Sequence, residues 1–507
     1  MMKSIYDHTR CWRMPGMLTV MIVLFILPIT ATFAATPSGS DEAATRSQNL
    51  QALVVKAQEF GGKVPVIVLL KLDTALEPTL NTAATQAQRD AIADAQQRVL
   101  SRLFANAPQS ATALRDEAAL GIKRFSLTPG FAIQADAQML NALMADPEVQ
   151  EVVEDTLSRP SLPQSVPLIG GDVSGTFAGK TGLGWVVAIL DTGVDKTHPF
   201  LSDKVVSEAC YSTNNAGVGA SSVCPGGVPS STDPYSGVNC AATIRGCDHG
   251  THVAGIAAGK NGTYSGATFS GVARNANVIA VQVFTRFDND TYCGTGGSPC
   301  ALSYSSDQIQ GLERVYALRN TYQIASANMS LGGGQYTTYC DSDTRKTAID
   351  NLRAANIATV ISSGNSYYTA AMGAPACIST AVSVGATTKS DVVSSFSNSA
   401  DILNLLAPGS DILSSIPGGS YASWDGTSMA APHVAGAWAV LKQAKPNATV
   451  TELLKALVST GKSVTDTRSG AGNRVKPRIN LLSAVNSISF CPNCLPDRGG
   501  WRATLGQ

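Results

Sequence analysis

Three polar residues, far apart along the chain, stand where a side chain could do chemistry. Asp191 follows the apolar run "WVVAIL" (185–190), His249 precedes a small-residue helical pattern in "CDHGTHVAGIAAG", and Ser428 opens another in "SWDGTSMAAPHVAG" (423–436). A carboxylate, an imidazole and an alcohol at element ends meet the needs of nucleophilic acyl transfer. A neutral hydroxyl is a poor nucleophile, so the histidine must take its proton and the aspartate must hold the imidazole in the right tautomer. Attack on a carbonyl creates an oxyanion, and a helix beginning at Ser428 would offer it backbone N–H groups and a favourable dipole. Gly426, Ala430 and Ala431 keep bulk away from the hydroxyl; Pro432 lacks the N–H that would bond the Ser428 carbonyl, which fits a helix just beginning. Each residue alone has a plainer reading, Asp191 as a helix cap and His249 as a satisfied loop histidine. No Glu or third ligand stands at metal-site spacing from His249 and His252, and His252 reads as structural.

The elements that must hold these groups show in the hydrophobic pattern. "WVVAIL", "VIAVQVF" (278–284), "IASANMSL" (324–331), "ATVISS" (358–363) and "AVSVGA" (381–386) read as short strands buried on both faces, mostly separated by helical segments. That alternation predicts a parallel sheet covered by helices, with Asp191 at the carboxyl end of a strand, where active-site groups gather. Ile309, Leu312 and Tyr316 mark one helix; another opens with Thr449 and Glu452 as a capping box and stops at Gly461. Segments 205–247 and 286–305 read as long surface loops.

Upstream the pattern is different. After a polar stretch, "VPVIVLLKL" (64–72) reads as a strand and Ile92, Ala95, Val99 and Leu103 as one helix face. "RFSLTPGFAIQA" follows as a hairpin turning at Pro129-Gly130, then a helix on Leu140, Leu143 and Met144, and "VQEVVED" as a last strand. The order β-α-β-β-α-β is that of ferredoxin-like domains. The stretch "DTLSRPSLPQSVPLIGG" (155–171) reads as an exposed linker to the second region.

The chain has 507 residues, 44% of them hydrophobic, and its 37 Lys+Arg balance 37 Asp+Glu. Such balance gives no reason to expect nucleic acid or an anionic membrane as partner. Lys3, Arg10 and Arg13 precede the apolar run "MLTVMIVLFILPITATFAA", which has the order of a secretory signal peptide and is too short for a stable anchor. Of 11 cysteines, Cys11 would leave with that segment. The even remainder in an exported chain suggests disulfides, paired by proximity as Cys210 with Cys224, Cys240 with Cys247, Cys293 with Cys300, Cys340 with Cys377 and Cys491 with Cys494. "CPNC" (491–494) is one ligand pair without a second, which argues against zinc.

"DTGVD", "DHGTHVAG" and "GTSMAAPHVAG", in the order Asp, His, Ser, resemble the three signatures of the subtilisin family of serine endopeptidases. "NMSLGGG" (328–334) resembles that family's strand beside the specificity pocket, and "VISSGNS" (360–366) the segment bearing its oxyanion asparagine. The resemblance runs over roughly 165–488. It implies an α/β fold with a subtilisin-like parallel sheet covered by helices on both faces. It further implies Ser428 as nucleophile, His249 as general base and acid, Asp191 as its orienter, Asn365 in the oxyanion hole, and Ser330, Leu331, Gly332 and Gly364 lining the substrate cleft. The ferredoxin-like unit resembles the family's propeptide, chaperone and inhibitor of its own enzyme. The implied organisation is a signal peptide at 1–34, a propeptide at 35–160 with its folded part about 63–156, a catalytic domain at 161–488 and a tail at 489–507. Protein or peptide substrates, a secreted (extracellular or periplasmic) monomer and no cofactor for the chemistry follow from the same resemblance. A calcium-binding aspartate of the family would fall near Phe200, which cannot ligate, so structural calcium has no assignable site. A binding protein on an inactive protease scaffold is opposed by the full set of chemical groups. A serine-carboxyl peptidase, with a similar "GTS" motif, would have a glutamate in place of His249.

Overall fold

In the computed structural model, the described residues are 49–58, 62–105, 120–155, 165–172, 176–264 and 266–489, with 157–160 described by backbone alone. The signal segment, the Cys491–Cys494 pair and all but the first residue of the tail lie outside them.

The upstream pattern folds as read. Val64–Leu70 is the central strand of a four-stranded antiparallel sheet, flanked by Gly130–Ala135 and Val149–Glu154, with Lys123–Arg124 outside Gly130–Ala135. Helices Thr82–Ala105 and Ala137–Ala145 cover one face, burying Val66, Val68, Val99, Phe131, Leu140 and Leu143 together. Residues 49–58, read as a polar stretch, are helical and add Leu53 and Ala57 to that core. The opposite face has its own apolar set, because side chains alternate along a strand. Ile67, Phe125 and Ala132 pack there against Ile309 of the Ser305–Ala317 helix, which belongs to the second region.

The five predicted buried strands are all present and mutually parallel, forming the centre of a ten-stranded sheet. Asp191 pairs with Gln282 and is the last residue of its strand, Val186–Asp191. Two helices cross beside these strands with almost no polar face. His249–Ala258 is buried throughout, and Thr427–Ala444 is buried from Thr427 to Lys442. A helix apolar all round belongs inside a core. Small residues let these two approach backbone to backbone: a Cβ on Gly436 would come within 2.6 Å of the Ala257 carbonyl oxygen.

Three loop readings are corrected. Val205–Tyr211 is a strand of the main sheet, parallel to Asn277–Gln282. Thr285–Phe287 and Cys300–Tyr304 form an antiparallel pair within a second, six-stranded sheet. The supposed exposed linker contains the strand Leu157–Pro160, seated between Cys300–Tyr304 and Leu331–Tyr336 and antiparallel to both. Four of the expected disulfides are present, Cys210–Cys224, Cys240–Cys247, Cys293–Cys300 and Cys340–Cys377. Two of them lie in the segment 205–247 and one in 286–305, and Cys340–Cys377 ties the chain before the helix Lys346–Ala354 to the chain after Met372–Ala374, each closing a loop in the unfolded chain.

Candidate active site

The sheet delivers the expected residues to its carboxyl edge. Asp191 ends one strand, Ser330 follows the neighbouring strand Ile324–Met329, and Gly364 and Asn365 follow the next, Ala358–Ser362. His249 is the first residue of its helix, and its Nδ1 lies 2.6 Å from Asp191 Oδ1 although 58 residues separate them. Neither side chain is accessible to solvent. The carboxylate is oriented by the Thr192 backbone N–H, which donates to Asp191 Oδ1 at 2.8 Å, and Gly250 N–H donates to the Thr192 hydroxyl at 2.9 Å. Thr192 thereby locks the strand end to the helix start.

Ser428 is the second residue of the Thr427–Ala444 helix, in the first turn, where backbone N–H groups have no intrahelical acceptor. Its hydroxyl donates to the Ser330 carbonyl at 2.9 Å, and the Ser330 hydroxyl donates back to the Ser428 carbonyl at 2.5 Å. The second bond replaces the one that Pro432 cannot supply. Asn328, buried, donates in turn through Nδ2 to Ser330 Oγ at 2.9 Å.

Asn365 is anchored at one end only. Its Oδ1 accepts from the Thr427 backbone N–H at 2.8 Å and the Thr427 hydroxyl at 2.9 Å. Its Nδ2 is buried and has no hydrogen-bond partner among the described residues. A buried donor left unmade is costly, and such a group beside a serine at a helix start is placed to receive a developing negative charge. Gly364, at φ +102°, lets the chain turn there, and its N–H donates to Thr427 Oγ1 at 3.1 Å. Thr427 therefore sets the asparagine, the turn and the helix start at once. Sequence reading missed it, although "GTS" places it beside the serine.

His252 stacks on Trp424 with ring centroids 4.2 Å apart and reaches the Ala422 carbonyl through Nε2. Burial pushes its pKa down to about 3, so it stays neutral at any working pH, as its structural reading requires. Phe200 sits in an aromatic cluster with Phe269 and Tyr421, with ring centroids 4.9 and 5.6 Å away. Such a setting does not fit a calcium ion, which demands oxygen ligands. No group of three or more metal-ligating side chains occurs among the described residues.

Beside the site, Leu157–Pro160 occupies the cleft between two strands as an added middle strand. Ser158 pairs with Ser303, Arg159 with Gly332 and Pro160 with Leu331. The upstream unit is held to the same region by buried charge, which sequence reading did not anticipate. Glu313 accepts the backbone N–H groups of Ser126 and Leu127 at 3.0 and 2.9 Å. Asp155 accepts the Ser306 N–H at 2.8 Å, and Lys123 Nζ bonds Asp307 and Ser306. Burial raises the Asp155 carboxyl to about 6, against the opposing pull of Lys123.

Residues 182–475 match the sequence model of the Subtilase family, Peptidase S8. Subtilisin E of Bacillus subtilis (strain 168) is 33% identical over 344 residues, covering 67% of this chain and 77% of that protein. The alkaline protease of Alkalihalobacillus alcalophilus is 31% identical over 415 residues, 80% of this chain and 95% of that protein. With its strand order, its parallel sheet and the three signature stretches at one edge, the chain belongs to the subtilase family and is a serine endopeptidase acting on proteins or peptides.

Proposed function

We propose that this endopeptidase is made as a secreted, self-processing zymogen in which Ser428 is the nucleophile, His249 the general base and Asp191 its orienter. His249 takes the Ser428 proton as Oγ attacks the peptide carbonyl carbon. The carbonyl oxygen becomes an oxyanion, met by Asn365 Nδ2 and the Ser428 backbone N–H. As the intermediate collapses, the C–N bond breaks and His249 gives its proton to the leaving amine. A water then enters, gives a proton to His249 and cleaves the acyl-enzyme ester, returning the hydroxyl to Ser428. No step calls for a cofactor.

The observation that carries this reading is the Leu157–Pro160 strand, lying as a peptide substrate would between Cys300–Tyr304 and Leu331–Tyr336. Strand addition of this kind recognises backbone and leaves sequence preference to pockets. Its last residue pairs with Leu331, one residue from the Ser330 carbonyl that holds the Ser428 hydroxyl. Ser330, Leu331, Gly332 and Gly364 would form the cleft's backbone wall. We read residues 35–160 as the propeptide, at once first substrate and inhibitor, 161–488 as the catalytic domain and 1–34 as a cleaved signal. The product would be an extracellular or periplasmic monomer with no stable membrane anchor after processing. Ser428→Ala should accumulate the uncut precursor and fail to react with serine-directed reagents, and N-terminal sequencing of the wild type should place the first cut just past Pro160. Normal self-cleavage of Ser428→Ala would refute the assignment.

A further inference from the structure

We propose that the Cys240–Cys247 disulfide is a positioning element of the reaction, a covalent strap that holds the His249 imidazole on the Asp191 carboxylate. The inference rests on the reading of His249 as general base. Cys247 precedes His249 by two residues, and the helix that begins at His249 has no side-chain cap, because Asp248 makes no capping bond. Position of the imidazole therefore depends on the incoming loop together with the Gly250–Thr192 bond at the helix start. The loop is pinned at Arg245, whose N–H donates to the Pro299 carbonyl at 2.9 Å and whose carbonyl accepts from Ala301 N–H at 3.0 Å; between there and the helix the local bonds are longer, with His249 N–H on the Gly246 carbonyl and Cys247 N–H on the Ile244 carbonyl, each at 3.2 Å.

The other end of the strap is fixed to the carboxylate's own anchor. Cys240 N–H donates to the Thr192 carbonyl at 3.2 Å, and Thr192 N–H is the group that holds Asp191 Oδ1. The backbones are in direct contact here: a Cβ on Gly193 would lie 2.0 Å from the Val238 carbonyl oxygen, and one on Gly250 would lie 2.2 Å from the Gly193 carbonyl oxygen. The bridge thus closes a ring running from Asp191 through Thr192, Cys240, Cys247 and His249 back to Asp191. Packing supports the bridge on one side, where Cys240, Ile244 and Cys247 join a buried apolar cluster, and the other side faces a cavity of about 580 Å³ lined by Ile244, Cys247, Asp248, His249 and Trp424. Both sulfur-bearing residues are buried, whereas Ala241, Ala242 and Thr243 between them are exposed.

The test replaces the pair in the full chain, as Cys240→Ala with Cys247→Ala, and assays the self-processed enzyme on a peptide substrate. Because misplacement by about 1 Å can cost about 10²-fold, kcat should fall about 10- to 100-fold with KM within about twofold. The acid limb of kcat/KM should move to lower pH, since an imidazole that loses its carboxylate partner is harder to protonate. In an Asp191→Asn background the same replacement should cost little more, the non-additivity expected of groups acting as one unit. Cys210→Ala with Cys224→Ala, a disulfide outside the ring, should leave kcat unchanged. A lowered Tm with kcat and pH profile intact would overturn the proposal. If the double variant fails to mature, dithiothreitol can be applied to wild-type enzyme, giving two electrons and two protons to the bridge and closing to its own cyclic disulfide. Turnover should then fall in step with alkylation of Cys247, and full turnover with Cys247 alkylated would also overturn the idea. Wild-type enzyme that hydrolyses no peptide would instead overturn the reading of His249 itself.

Discussion

Asn365 has one end of its amide engaged by Thr427 and the other buried without a partner among the described residues, the geometry on which its proposed oxyanion role rests. Asn365→Ala should lower kcat by about 10²- to 10³-fold with KM little changed, the range known for loss of subtilisin's oxyanion donor. An unchanged turnover number would assign the role to another group. Ser330→Ala removes the hydroxyl bonded to the Ser428 carbonyl, and Pro432 cannot compensate. Loss of about 1–3 kcal/mol of stability is expected, read as a lower midpoint of denaturant unfolding. A midpoint shift near zero would mean that another donor reaches that carbonyl. The identities of Asp191, His249 and Ser428 were legible in the sequence because each stands in a short local pattern at an element end. The mutual service of Ser330, Thr427 and Asn365 was not, because it is made of hydrogen bonds between residues 62 to 98 positions apart.

Where the ferredoxin-like unit meets the Ser305–Ala317 helix, Asp155, Asp307 and Glu313 are buried with Lys123, and Arg345 and Tyr304 face the same cluster. Burial is the first cause of the upward shift of all three carboxyls. Asp155 reaches about 6 in the contact and returns to the ordinary carboxylate range on separation. Association therefore takes up a proton: it is strongest in acid and weakens as pH rises through about 6. After self-cleavage, the upstream unit should stay bound to the catalytic domain at pH 5 and be released more readily at pH 8, measured by co-purification. Asp155→Asn should flatten that difference; tighter retention at pH 8 would contradict the sign. At another element, Thr449 and Glu452 form the capping box expected from their spacing, and Thr449→Ala should cost about 0.5–2 kcal/mol in thermal unfolding. Caps and buried helices were readable because their signals are local. Leu157–Pro160 was not, since its pairing is made by backbone and needs no hydrophobic alternation.

Over the whole molecule, the four disulfides among the described residues divide by the length of chain they close. In the chain-entropy account, opening Cys340–Cys377, with a separation of 37, should cost about 4 kcal/mol, and opening Cys293–Cys300, with a separation of 7, about 2 kcal/mol. Alanine pairs compared by calorimetry would test the order, and equal losses would point to native-state contacts as the main term. The sequence by itself determined the buried parallel strands, the helices between them and the family, because hydrophobic period, caps and signature stretches act over a few residues. Tertiary structure decided what lies against what: the imidazole on its carboxylate, the orphaned amide beside the serine, the strand in the cleft and the buried carboxylates under the upstream unit. Those relations join segments that meet only when parallel strands bring their carboxyl ends to one edge, and no local pattern encodes such a meeting.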